Sequence, residues 1–141
     1  MQLIQLQEHI WLIYTDIEAG LKTLSAMKTQ VSAFRHIVAG HGEIYTSTEQ
    51  AKRVIKYTIT QLESILDQVR AVLANGDAPP ATDILKCSCA WARCYDYSTT
   101  TIRTFYNNTN VQAALSILYA RGEISPLFQD NMLLWQRVEK G

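Results

Sequence analysis

The sequence has little charge and no excess of either sign. Only 18% of its residues are charged, and 13 basic residues balance 13 acidic ones. Such a chain lacks the strong positive field that attracts nucleic acid or an anionic membrane surface. Its densest basic cluster is Lys52, Arg53 and Lys56, and binding to a phosphate backbone normally recruits more contacts than these. We therefore expect no nucleic-acid partner; the alternative, a nucleic-acid-associated helical protein, requires these cations to join Arg93 and Arg103 in one patch.

Long hydrophobic runs are also absent. Near the N-terminus, Glu8, His9 and Asp16 interrupt the apolar residues, which argues against the continuous apolar core of a secretory signal. The longest uncharged stretch, residues 104–120, contains amide side chains whose transfer into lipid is costly. We expect a soluble cytoplasmic protein with no membrane partner.

Cysteine is scarce, with three residues close together at Cys87, Cys89 and Cys94. An odd number of neighbouring cysteines does not build a disulfide framework, so a reducing cytoplasm is the simplest location. On one helix, Cys87 and Cys94 lie two turns apart on the same face and Cys89 points away from both. We expect small buried or half-buried residues rather than a metal site or a redox pair.

The motifs of common enzymes are missing. There is no Gly-x-Ser-x-Gly elbow, no glycine-rich phosphate loop and no Glu-x-x-His pair, and the last histidine is His41. His36, His41 and Glu43 lie together in the sequence, but imidazoles near a helix C-terminus also bond its free carbonyls without any further chemistry. We predict a protein that is not an enzyme and needs no cofactor and no metal.

What the sequence does contain is a coiled-coil-like seam in its first forty residues. Apolar residues recur at spacings of three and four, which predicts one helix from about Gln2 to Ala39, a rod of roughly 50 Å that ends at Gly40 and Gly42. Gly20 on the seam indicates close backbone packing or a break between Ile17 and Leu21. The seam consists of Leu3, Leu6, Ile10, Ile13, Ile17, Gly20, Leu24, Met27, Val31, Phe34 and Val38.

A second helix with a matching seam follows a short loop. Ser47 and Gln50 form a capping box at its start, and Asn75 and Gly76 mark its end. Because two amphipathic helices joined by a short loop bury their stripes against each other, we expect an antiparallel helical hairpin. The second seam consists of Ala51, Ile55, Thr58, Leu62, Ile65, Val69 and Val72.

The C-terminal half predicts shorter helices. Thr82 is a plausible N-cap after the proline-containing linker 77–81, for a third helix that reaches Phe105 and ends in a turn at residues 107–110. A broken fourth helix follows: one piece ends at Gly122, and the other begins with Ser125 as N-cap and Pro126 in the first position. Its predicted core residues are Val111, Leu115, Leu118, Leu127, Leu134 and Val138.

These elements predict an all-α fold. We expect an up-down helical bundle with a long N-terminal antiparallel hairpin, a third helix and a broken fourth helix. One domain spans residues 1–141, with the long hairpin in 1–76 and the shorter C-terminal helices in 82–141.

A polar stripe on the third helix is the predicted partner-binding surface. Arginines around one aspartate, flanked by tyrosines, can grip a carboxylate, a phosphate or an acidic side chain of a partner. The simpler interpretation is an exposed helix face with intrahelical ion pairs. The stripe consists of Arg93, Asp96, Thr100, Arg103 and Asn107, with Tyr97 and Tyr106 beside it.

The functional hypothesis is a protein–protein interaction module: an adaptor, an assembly subunit or an inhibitor of another protein. We expect a homodimer, because the longer first helix exposes Leu3, Leu6, Ile10 and Trp11. The alternative is a small ligand-binding or hydrolytic helical enzyme that uses the stripe, which requires a concave pocket at Arg93, Asp96 and Arg103. Trp135 is left open between the core and an interface.

Overall fold

The computed structural model describes residues 16–34, 36–38, 44–87 and 100–139, with side chains described except at 86–87 and 100–107. Helices alternate with two small β-hairpins. In chain order the elements are α1 (Ile17–Gln30), a 3-10 turn (Val31–Ala33), β1 (Ile37–Val38), β2 (Ile44–Tyr45), α2 (Thr48–Leu73), α3 (Ala81–Cys87), α4 (Thr100–Ala120), β3 (Ile124–Gln129) and β4 (Met132–Arg137).

The two hairpins correct the all-α prediction. β1 pairs with β2, and β3 pairs with β4, both antiparallel. The last predicted helix, with Ser125 as its cap, is wrong: that segment is the β3–β4 hairpin. Asp130 and Asn131 both adopt positive φ, 51° and 61°, which is the backbone of a two-residue hairpin turn. Asparagine and aspartate tolerate this conformation better than other residues with a side chain, and it cannot occur within a helix.

The first helix differs from the predicted one, which ran from Gln2 to Ala39: α1 begins at Ile17 and ends at Gln30. Asp16 has extended backbone and its carboxylate accepts from the Ala19 amide at 2.9 Å, so Asp16 is the N-cap and α1 begins at Ile17. The rod from Leu3 to Val38 is therefore not continuous. At the other end the chain leaves the helix before Ile37, where β-branched residues suit extended backbone. Gly20 lies within α1, and its amide donates to the Asp16 carbonyl.

The second helix is confirmed, including its cap. Ser47 Oγ accepts from the Gln50 amide at 3.2 Å, and α2 ends at Leu73, before Gly76 with a φ of 82°. The helices α1 and α2 pack antiparallel: Ile17 at the start of α1 shares a cluster with the second half of α2, and Val31 beyond its end packs on Ala51.

The third and fourth helices divide the chain differently from the prediction. α3 begins one residue before Thr82, and its first free amides donate to the Pro80 carbonyl, Asp83 N at 3.0 Å and Ile84 N at 3.2 Å. The predicted turn at 107–110 lies inside α4, where Asn110 is buried. Tertiary burial of this segment overrides the poor helix propensity of its asparagines.

The core lies where α2, α3 and α4 meet. Three of the predicted core residues, Val111, Leu115 and Leu118, are buried on α4, and Leu134 is buried on β4 instead of on a helix. Leu127, the cross-strand partner of Leu134, is half-buried, and Val138, which follows the end of β4, is exposed. Ile124 joins the core from the first position of β3.

Candidate functional site

The predicted binding residues fall mostly outside the part of the chain that the structure describes. Arg93, Asp96 and Tyr97 lie outside the described residues. The backbone of α4 includes Thr100, Arg103, Tyr106 and Asn107, but their side chains lie outside the description. The predicted self-association residues lie wholly outside the described residues: Leu3, Leu6, Ile10 and Trp11. These assignments stay predictions.

The cysteines and histidines are described only in part. Cys87 ends α3, with its side chain undescribed, and Cys89, Cys94, His41 and Glu43 lie outside the described residues. The described residues contain no group of three histidine, cysteine, aspartate or glutamate side chains placed to hold a metal ion. None of the described helices has the length and apolar character needed to cross a bilayer.

A groove of about 490 Å³ lies between the start of α1 and the end of α4. Its charges are partnered: Arg121 Nη2 lies 2.9 Å from Glu18 Oε2, and Lys22 Nζ lies 3.9 Å from the other Glu18 oxygen. The groove lies toward the opposite end of α4 from Arg103, so it is not the concave pocket that the enzyme hypothesis requires.

The β3–β4 hairpin is the most distinctive surface of the described residues. Six residue pairs run from Ile124 opposite Arg137 to Gln129 opposite Met132, with Asp130 and Asn131 in the turn. Since paired residues project to the same face of the hairpin, Ile124, Phe128, Leu133 and Trp135 share one face.

The base of this face is anchored to the helices. Ile124 and Trp135 pack against the core formed by α2, α3 and α4. The Trp135 amide donates to the Pro79 carbonyl at 3.0 Å, so the linker before α3 runs beside β4. The Trp135 ring also meets Tyr119 of α4 edge to face, with ring centroids 6.3 Å apart. Trp135, which the sequence left open, therefore belongs in part to the core.

An ion pair holds the start of the hairpin to α2. Glu123 accepts two hydrogen bonds from Arg70, from Nε at 2.7 Å and from Nη2 at 2.9 Å, and Asp67 accepts a third at 2.9 Å. Hydrogen bonding to Glu123, with a smaller contribution from Asp67, raises the pKa of the Arg70 guanidinium above its ordinary value. The guanidinium stays charged, and its two parallel bonds fix the direction in which the chain enters β3.

The tip of the same hairpin is apolar and exposed. Phe128 is 78% exposed, and its cross-strand neighbour Leu133 is 41% exposed. Met132 beside the turn is half exposed, but as the partner of Gln129 it projects to the opposite face. Tyr119 of α4 is exposed and meets Trp135, which shares the face of Phe128 and Leu133. We call Tyr119, Phe128 and Leu133 the tip surface.

The outer edge of β3 is closed to strand addition. In a hairpin with a two-residue turn, Gln129 and Met132 form a hydrogen-bonded pair, so Pro126 and Trp135, three pairs further along, form a non-hydrogen-bonded pair whose nitrogens face outward. Trp135 uses its outward amide on Pro79, whereas Pro126 has no N–H to offer. A strand added at this edge would lack one backbone hydrogen bond in the middle of β3. A partner is therefore expected to recognise the side chains of the hairpin.

Sequence reasoning missed the tip surface because it assigned residues 125–138 to a helix. The signal was the pair Asp130–Asn131, flanked by two apolar stretches of nearly equal length. No protein-family model, curated protein or solved structure matches this chain.

Proposed function

We propose that the chain is a protein–protein interaction module that binds a partner through the tip surface. The observation that supports this is the exposure of Phe128, which is 78% exposed beside the exposed Leu133. Exposing a phenylalanine and a leucine side by side costs solubility, and contiguous apolar patches commonly mark binding sites.

The composition of the surface also fits binding by side chains. Aromatic residues are enriched in protein interfaces, where a few anchors in well-packed pockets supply most of the binding energy. Phe128 and Tyr119 are the candidate anchors, and Gln129, Asp130 and Asn131 form a polar rim at the turn. The partner class is a protein with an apolar pocket that accepts an aromatic ring.

A comparison of two hairpin variants tests the proposal. The double substitution Phe128→Ser and Leu133→Ser removes the tip surface, while Val38→Ser and Ile44→Ser remove an apolar pair of similar exposure from β1–β2. We expect affinity capture followed by mass spectrometry to recover partners with the wild type and the β1–β2 variant, and to lose them with the tip variant. Partners retained by a folded tip variant would contradict the proposal.

Light scattering during size-exclusion chromatography separates a foreign partner from a second copy. If the wild type is a dimer that the tip variant splits, the partner of the tip surface is a second copy of the chain. If a dimer persists in the tip variant and is split by Leu6→Glu and Ile10→Glu, self-association belongs to the predicted N-terminal seam.

A further inference from the structure

The turn after α2 contains an asparagine followed directly by a glycine. Asn75 and Gly76 are exposed, as are Ala74 before them and Asp77 after them. Gly76 has a φ of 82°, and no atom lies within 4 Å of the position that a Cβ would occupy. The Asn75–Gly76 step is therefore exposed to solvent, and no other residue crowds the α-carbon of Gly76.

The end of α4 gives a contrast within the same molecule. There the Gly122 amide donates to the Tyr119 carbonyl at 2.9 Å, and the Glu123 amide donates to the Leu118 carbonyl at 3.0 Å. These two bonds lock the backbone after the helix. Past α2, the Ala74 amide makes a longer bond of 3.4 Å to the Ala71 carbonyl, and among the described residues the Gly76 and Asp77 amides donate no backbone bond of that kind.

We propose that Asn75 is a site of spontaneous deamidation. The backbone nitrogen of Gly76 attacks Cγ of Asn75, a new N–Cγ bond forms, and the bond from Cγ to the side-chain nitrogen breaks. That nitrogen leaves as ammonia and takes up the proton of the Gly76 amide. The product is a five-membered succinimide, and addition of water to either of its carbonyls opens the ring to aspartate or isoaspartate. Glycine favours the first step because it has no Cβ to crowd the attack or restrict the backbone.

Both products alter the segment that supports β4. Each adds a negative charge close to the C-terminus of α2, where the helix dipole disfavours it, and beside Asp77. Isoaspartate also lengthens the main chain by one carbon, four residues before Pro79, whose carbonyl accepts from the Trp135 amide. Deamidation is therefore expected to loosen the contact between the linker and the hairpin.

Peptide mapping by mass spectrometry tests the site on the intact folded protein during incubation at mildly alkaline pH. Asn131 is the internal control, because it is also exposed in a turn with positive φ but precedes Met132. We expect conversion at Asn75 to be at least about tenfold faster than at Asn131, since the side chain of methionine crowds the attack that glycine leaves open. The variant Asn75→Gln should show no conversion at position 75. Equal rates at the two asparagines, or an unchanged Asn75, would overturn the proposal.

Hydrogen exchange tests the structural consequence. In aged protein the Trp135 amide should exchange roughly two- to tenfold faster than in fresh protein, the change expected when one hydrogen bond is weakened. The Val138 amide, which donates to the Glu123 carbonyl at the base of the hairpin, is the matched control and should not change. If exchange at the Trp135 amide is unchanged in deamidated protein, the proposed loosening of the contact between the linker and the hairpin is refuted. The assignment of Asn75 as a deamidation site does not depend on that result.

Discussion

The base and the tip of the β3–β4 hairpin belong to the same two strands, and both carry apolar residues on the same face of the hairpin. Ile124 at the base is 3% exposed, whereas Phe128 lies four residues further along the same face and is almost fully exposed. What separates them is contact with the helices: Ile124 packs in the helical core next to the Arg70–Glu123 ion pair, and Phe128 is not part of that core. Apolar character alone therefore does not say whether a residue stabilises the fold or remains available for a partner.

The largest expected effect belongs to the base. Ile124→Ala removes buried methyl and methylene groups and leaves a cavity against the core, so we expect a loss of about 2–4 kcal/mol in the free energy of unfolding. Urea denaturation followed by circular dichroism measures it, with Phe128→Ala as the matched control at the tip. Equal losses for the two variants would mean that the tip also packs against the molecule.

Substitution in the turn that joins the two strands should give the second-largest loss in the free energy of unfolding. Asn131→Val places a β-branched residue at a φ of 61°, which we expect to cost about 1–2 kcal/mol because the branched side chain clashes with the backbone there. Asn131→Gly should keep the stability, since glycine adopts this conformation freely. Thermal unfolding compares the variants. A stable valine variant would show that the turn does not govern the hairpin.

The ion pair at the base is expected to contribute less. Glu123→Gln keeps the shape of the side chain and removes its charge, so the two bonds from Arg70 weaken; we expect a loss of roughly 0.5–1.5 kcal/mol at low salt and a smaller loss at high salt. Glu49→Gln, which disrupts the exposed pair with Lys52 at 3.3 Å, is the control and should change stability by about 0.5 kcal/mol or less. Measurement of both variants in low and high salt decides whether the Arg70 pair anchors the hairpin.

The smallest effect on stability is expected at the tip. Phe128→Ser gives up only a solvent-exposed cross-strand contact with Leu133, so the free energy of unfolding should change by about 0.5 kcal/mol or less. The same variant should weaken partner capture strongly. Ile124→Ala, by contrast, is expected to act mainly on stability. A large loss of stability here would assign Phe128 to the fold rather than to binding.

The helix α2 was predictable from the sequence because its signals are local. Ser47 caps the helix within three residues, the apolar stripe runs along its whole length, and Gly76 supplies the positive φ that ends it. The buried positions Leu62 and Val69 agree with the predicted stripe. Each of these features depends on neighbouring residues and needs no knowledge of the rest of the fold.

The candidate site was not predictable in the same way. Leu127, Leu134 and Val138 satisfy a helical spacing on paper, and Ser125 followed by Pro126 is a good helix start, so the local pattern favoured the wrong element. The correct element depends on contacts distant in sequence: Trp135 with Pro79, and Glu123 with Arg70. Short apolar segments are ambiguous between helix and strand until such contacts are known.

The sequence by itself determined where α2 begins and ends and which of its faces is buried, because capping, helix periodicity and glycine backbone preference act within a few residues. Only the tertiary structure decided that residues 124–137 form a hairpin, that Ile124 is buried and that Phe128 is exposed. The reason is physical: burial depends on where α2, α3 and α4 meet and end in space, and the local sequence of two strands does not contain that position.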